Sequence, residues 1–131
     1  MKNTKFILPV LLFCVIFSFS CSSVPKEIPE NLTSQELIQK GQECYENANY
    51  EGALAYYETA VARFTDWPST YIEAKYEIAH VYMKQKKYEK AEAIFNEILQ
   101  MFKSAAPGSY PAAYKKLSEI GLQKISETRT K

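Results

Sequence analysis

From about residue 34 almost to the C-terminus, apolar residues recur every three or four positions, the spacing that lays one apolar stripe along a helix. Nowhere does apolar–polar alternation persist as a strand requires. Residues that start or stop helices punctuate the stripe. In "LTSQEL", Thr33 and Glu36 form the T-x-x-E arrangement of a capping box, each satisfying a free amide at a helix start. "NAN" at 47–49 breaks the first helix, asparagine being tolerant of turn geometry. In "TDWPS", Pro68 pushes the preceding residue out of helical space, and Thr70 with Glu73 offers a second capping box. "KSAAPG" interrupts again, after which Ser109 is placed to cap a helix with Pro111 in its first turn. The pattern predicts five helices, at about 34–47, 50–64, 70–85, 88–102 and 109–125, the last fraying near "SETRTK". The expected fold is all-α, built of antiparallel hairpins without a strand.

The helices are not independent of one another. Gly41 and Ala79, Tyr50 and Tyr88, Ala53 and Ala91, and Tyr57 and Phe95 are each 38 residues apart. Four positions sharing one offset imply stacked helical hairpins, neither of which buries its apolar face alone. In "SYPAAYKKLSEIG", Tyr110, Ala113, Leu117 and Ser118 follow Tyr71, Ala74, Ile78 and Ala79 at an offset of 39. A third hairpin therefore begins and is not finished, and its single helix is expected to cover the end of the stack.

The residues carrying this offset resemble those of the tetratricopeptide repeat. In that family a small residue on the first helix, here Gly41 then Ala79, lets the second pack closely. An aromatic opens the second helix (Tyr50, Tyr88), alanine follows at the crossing (Ala53, Ala91), and a large ring lies one turn on (Tyr57, Phe95). Ala60 fits the next small site, which Ile98 replaces in the second unit. Lys40 and Cys44 stand where the family usually has Leu and Tyr, and the period exceeds the family's value of about 34. The longer stretch "FTDWPSTYIEAKYEIAHVY" is similar to the repeats of bacterial envelope lipoproteins, among them outer-membrane assembly lipoproteins. The resemblance implies an α-α superhelix of two hairpins, at about 34–67 and 71–105, with a capping helix at about 109–125, in a domain spanning 34–131. It also implies that the first helix of each hairpin lines a concave groove. By family position the groove-facing residues are Ile38, Gln42 and Tyr45, then Tyr76, His80 and Met83, then Lys115 and Glu119, with Leu122 beside them. The competing reading puts Tyr76 and Met83 inside the stack and makes His80 a hydrogen-bonded bystander.

The N-terminus is of another kind. "MKNTK" is basic, "FILPVLLFCVIFSFS" is apolar and uncharged, and "CSS" follows, which is the layout of a secretory signal peptide over residues 1–20. The apolar run is shorter than the roughly 20 residues that span a bilayer, which argues against the alternative of an uncleaved anchor. "FSFSC" resembles a bacterial lipobox and implies a lipid on Cys21. Ser20 suits it, whereas Ser18 departs from the usual Leu, a looseness some bacterial groups, spirochaetes among them, tolerate. Cys14 is the poorer candidate because bulky Phe13 precedes it. "SSVPKEIPEN", with two prolines and little apolar content, reads as an extended tether within the segment 21–33.

Cys44 would then be the one other cysteine of the mature chain, unable to form an internal disulfide. It reads as a small buried residue, the alternative being a reactive or metal-bound thiol. Without Lys2 and Lys5 the chain carries 14 basic and 15 acidic residues, which gives no reason to expect nucleic acid as a partner. The charge is unevenly spread, however. Residues 27–77 hold ten acids and three bases, net −7, and residues 78–131 hold ten bases and five acids, net +5. Two solvated faces that happen to differ would give the same split. With a single histidine, His80, no metal site with ligand spacing is expected, and the four glycines form no phosphate loop. Neither cofactor nor catalysis is expected, only the covalent lipid on Cys21.

The sequence therefore points to a lipid-tethered repeat protein of the cell envelope. It would face the periplasm and bind a protein or peptide segment as an adaptor, with the outer membrane favoured by Ser22 after the lipidated cysteine. Two other uses compete: a small-ligand carrier or transporter accessory using the groove, and self-association through an imperfectly capped end.

Overall fold

The computed structural model describes residues 23–130, which form five helices. These are α1 (Ser34–Glu46), α2 (Tyr50–Arg63), α3 (Pro68–Lys84), α4 (Tyr88–Ser104) and α5 (Ala113–Arg129). Each packs against the next, as antiparallel hairpins do. In addition the backbones of α1 and α3, and of α3 and α5, approach closely, while those of α2 and α4 do not. The layer of α1, α3 and α5 is therefore the tighter one and forms the inner side of the curve. The signal segment, Cys14, Cys21 and Ser22 lie outside the described residues.

Chain punctuation agrees with the sequence at three starts, those of α1, α2 and α4, and departs from it at two. The Thr33 amide donates to Glu36 Oε2 at 2.8 Å and the Glu36 amide to Thr33 Oγ1 at 3.2 Å, which closes the expected capping box. The backbone hydrogen bond from Thr33 holds the Glu36 carboxyl below its ordinary pKa. Asn49 caps α2, accepting from the Gly52 amide at 2.9 Å. The box expected from Thr70 and Glu73 does not form, because α3 already starts at Pro68, whose fixed φ suits the first helical position. Thr70 then lies inside the first turn. Ser109 is not a cap either. Its hydroxyl donates to the Ala106 carbonyl at 2.8 Å, closing a turn, and α5 begins only after Pro111, with Ala112 at its N-cap. At its other end α5 does not fray at 125 but runs to Arg129, whose guanidinium reaches Glu92 at 2.9 Å.

The two hairpin turns repeat as faithfully as the helices. Asn49 N donates to Cys44 O at 2.8 Å and Ala48 N to Tyr45 O at 3.0 Å, while Lys87 N donates to Tyr82 O at 2.9 Å and Lys86 N to Met83 O at 3.1 Å. Both are Schellman closures. Their left-handed residues are Ala48 (φ 56°) and Lys86 (φ 58°), so in "NAN" the positive φ falls on the alanine rather than on an asparagine.

The core has two centres. The first joins α1, α2 and α3 through Leu37, Ala53, Leu54, Tyr57, Ala60, Ala74, Ile78 and Val81. The second joins α3, α4 and α5 through Ala79, Ala91, Phe95 and Ile125. Two glycines supply the close approaches: Gly41, a repeat position, lies against the Tyr57 ring, and Gly121 of α5 lies against the Phe95 ring. Tyr57 thus packs into its own hairpin, and Phe95 reaches the following helix.

The terminal helix is turned from its expected register. Leu117, matched in sequence to Ile78, is 36% exposed where Ile78 is 8% exposed. The row that α5 buries is Ser118, Gly121 and Ile125. A shift of one residue rotates a helix by about 100°, which turns Leu117 and Ile120 outward.

The segment before α1 is not a free spacer. Ile28 and Leu32 pack on the first core. Arg63 of α2 donates from Nη1 to Pro29 O at 2.7 Å and from Nη2 to Ile28 O at 2.9 Å. The expected tether lies along the outer layer, fastened by one guanidinium that spans two carbonyls.

Candidate functional site

The inner layer gathers rings from three helices into one row. Tyr45 of α1 stacks on His80 of α3, with centroids 5.2 Å apart and planes at 25°. His80 also stacks on Tyr76, one turn earlier, at 6.0 Å and 20°. Tyr76 meets Tyr114 of α5 at 5.6 Å and leans on Phe95 of the second core at 6.0 Å. Each ring sits at a first-helix position facing the inner side of the curve, so regular helix stacking is enough to align them. Half-buried rings offer contact area at small entropic cost.

Acidic groups accompany the row. Glu73 and Glu77 stand one turn apart on α3, both half-buried. Burial, and then the Glu77 charge, pushes the Glu73 carboxyl above its ordinary pKa, with the Tyr114 hydroxyl beside it opposing the rise. His80 Nδ1 lies 3.9 Å from Glu77 Oε2, too long for a hydrogen bond. Beneath the row the Tyr57 ring is 0% exposed, and the hydroxyls of Tyr45 and Tyr57 are buried without a hydrogen-bond partner. Burial, and then Glu77, raises the Tyr57 phenol above the ordinary tyrosine range. Burial, and then Glu73, raises Tyr114 to about 12. Next to the row Ser34, Gln35, Ile38, Thr70 and Glu73 line a cleft of about 300 Å³ between α1 and α3.

The expected groove residues are distributed unequally. Tyr45, Tyr76 and His80 come together in the row. Ile38 is almost wholly buried and serves as cleft floor and core at once. Met83 packs half-buried on the second core, and Gln42 is exposed. Lys115 and Glu119 are exposed on α5, and the α5 side chain that joins the row is Tyr114. Sequence reasoning passed over Tyr114, Glu73 and Glu77. Glu73 and Glu77 stand at i, i+4 on one helix with Lys75 between them, a pattern that in the sequence looks like any solvated charged face.

Among the described residues no group of three His, Cys, Asp or Glu is placed to hold a metal ion, and no helix is long and apolar enough to cross a membrane. Cys44 is half-buried with its thiol pKa raised by burial, the opposite of an activated nucleophile.

The tetratricopeptide repeat family model matches residues 45–117, more than half of the chain. The chain belongs to the tetratricopeptide repeat family. Repeats of this family are in general non-catalytic scaffolds for protein–protein contact. An uncharacterized protein of Treponema pallidum (strain Nichols) is 35% identical over 116 residues, which cover 87% of this chain. The aligned part is 46% of that relative, so the chain spans less than half of the relative's length. No solved structure matches.

Proposed function

We propose that this tetratricopeptide repeat protein is a non-catalytic adaptor, tethered to a membrane of the bacterial envelope by a lipid on Cys21. Its inner face binds an extended segment of a partner protein. The observation that carries this reading is the row of Tyr45, His80, Tyr76 and Tyr114, drawn from all three inner helices and left half-buried on an open face. A bacterial relative is consistent with the setting. The neighbouring cleft has four polar lining residues to one apolar. Sites for small ligands are lined mainly by apolar groups, so a segment of chain suits this face better than a carried metabolite.

Capture from crosslinked envelopes tests the adaptor role. Partners recovered with the lipidated protein should be depleted when Tyr45, Tyr76 and His80 are changed together to Ala. Undiminished recovery with that variant would refute binding at this face. Metabolic labelling with a fatty-acid analogue tests the anchor separately: label should disappear in Cys21→Ala, and label that persists there refutes the anchor.

A further inference from the structure

We infer that the inner face recognises a positively charged side chain, a lysine or arginine presented by the partner segment, between the row of rings and the Glu73–Glu77 pair. This rests on the adaptor reading and adds the chemistry of what is bound.

Two carboxylates one helical turn apart repel each other. Here both are withdrawn from water, where the repulsion is poorly screened. The molecule does little to relieve it. Among the described residues, the bases in ion pairs are Lys75, held by Glu97 at 2.6 Å, and Arg129, held by Glu89 and Glu92 at the far end of α4. Neither they nor any other described lysine or arginine pairs with Glu73 or Glu77. His80 stands 3.9 Å from Glu77 but spends its faces on Tyr45 and Tyr76. The Tyr114 hydroxyl beside Glu73 is neutral and half-buried.

The remaining surroundings suit a cation. Ring faces attract a cation centred within about 6 Å, and the row offers the rings of Tyr45, Tyr76 and Tyr114 next to the two carboxylates. The hydroxyls of Tyr45 and Tyr57 are buried and lack partners. The Tyr57 side chain is wholly enclosed, pressed on Gly41 of α1 and influenced by Glu77 and Glu73 of α3, so it lies under the same face. An ammonium or guanidinium donates from every N–H it has and accepts nothing, which matches a site whose accessible acceptors are the Glu73 and Glu77 carboxylates. Over a longer range, the net charge of −7 on residues 27–77 steers a basic segment toward this half of the protein.

The test uses the full chain in detergent micelles, with N-acetyl-arginine amide and N-acetyl-lysine amide as probes. In an NMR titration, saturable shifts are expected on the rings of Tyr45, Tyr76, His80 and Tyr114. In the doubly substituted Glu73→Gln/Glu77→Gln protein the affinity should fall by about tenfold or more, as loss of a charge-assisted contact implies. That variant removes a repulsion, so it should fold, and an unchanged or higher melting temperature confirms it. Shifts scattered over the surface, equal shifts with N-acetyl-glutamine amide, or unchanged affinity in the double variant would overturn the inference. The adaptor reading is separable. Envelope partners that depend on Tyr45, Tyr76 and His80 but not on Glu73 and Glu77 leave it standing and sink the cation site. Partners indifferent to the rings sink the adaptor reading, while the titration still decides the cation site.

Discussion

Gly41 faces the ring of Tyr57 so closely that a methyl group at position 41 would lie 2.4 Å from Tyr57 Cε1. The ring is 0% exposed, so it has no free space to retreat into. Gly41→Ala gains helix propensity of about 1 kcal/mol but overpacks the core, which costs about 1–3 kcal/mol. A net loss of roughly 1 kcal/mol is expected in denaturant unfolding. Gly121→Ala should behave alike, since its new methyl would meet Phe95 at 2.4 Å. A double-mutant cycle checks the cause: Tyr57→Leu should largely abolish the penalty of Gly41→Ala, and simple additivity would exclude the ring as its source.

The turns give a prediction of opposite sign. Ala48 and Lys86 hold positive φ at equivalent places in the two Schellman closures, where a side chain meets the backbone unfavourably. Glycine relieves this but is freer in the unfolded chain. Ala48→Gly and Lys86→Gly should each stabilise by about 0.5–1 kcal/mol. The two sites lie at opposite hairpins, so the effects should add within about 0.5 kcal/mol. Thermal or urea melts read both numbers.

What the sequence made legible follows from the range of the contacts involved. Gly41, Ala53 and Tyr57, echoed at Ala79, Ala91 and Phe95, are set by helix crossings within one hairpin, so their spacing survives as a repeat. The register of α5 was not legible. An offset of 39 made Leu117 equivalent to Ile78, yet the helix buries Ser118 instead, and one residue of slip moves every side chain by about 100°. The same rotation brings Tyr114 to the row and leaves Lys115 and Glu119 in water. Glu73 and Glu77 looked like ordinary surface acids because their burial comes from α1 and α5, which no local pattern records.

Alkaline titration should single out the buried phenols. Tyrosine in the unfolded chain ionises near pH 10. Tyr114 is held at about 12, by burial and then by Glu73, and Tyr57 higher still, by burial and then by Glu77. Above about pH 10 the unfolded state therefore binds fewer protons than the folded one, and stability falls as pH rises. The contribution is intact below about pH 10 and is lost through the window up to the folded pKa values. Absorbance at 295 nm should show a late-titrating fraction that collapses on unfolding. Glu73→Gln should lower the Tyr114 midpoint only in part, since burial is the larger cause, and a full return to the free value would contradict that ranking.

The last prediction concerns the segment that links the domain to its N-terminus. Arg63 grips the carbonyls of Ile28 and Pro29, while Ile28 and Leu32 rest on the first core. A guanidinium can bridge two acceptors as a planar fork, whereas a lysine ammonium is a point donor. The grip lies at the surface, so its loss should reopen the segment locally without unfolding the stack. Arg63→Ala should cost about 1 kcal/mol of local stability, less than the roughly 1.5–3 kcal/mol usual for hydrogen bonds to a charged donor, because the guanidinium is exposed to water. Amide exchange at Ile28 and in residues 30–32 should then quicken about fivefold, with the melting temperature moved by only a few degrees. Arg63→Lys should fall between the two. The grip seats the segment on the outer layer, on α2, and so leaves the inner face of α1, α3 and α5, where the proposed function places a partner, uncovered by it. Exchange in residues 28–32 that is equally slow in Arg63→Ala would mean that the apolar contacts of Ile28 and Leu32 suffice to hold the segment there.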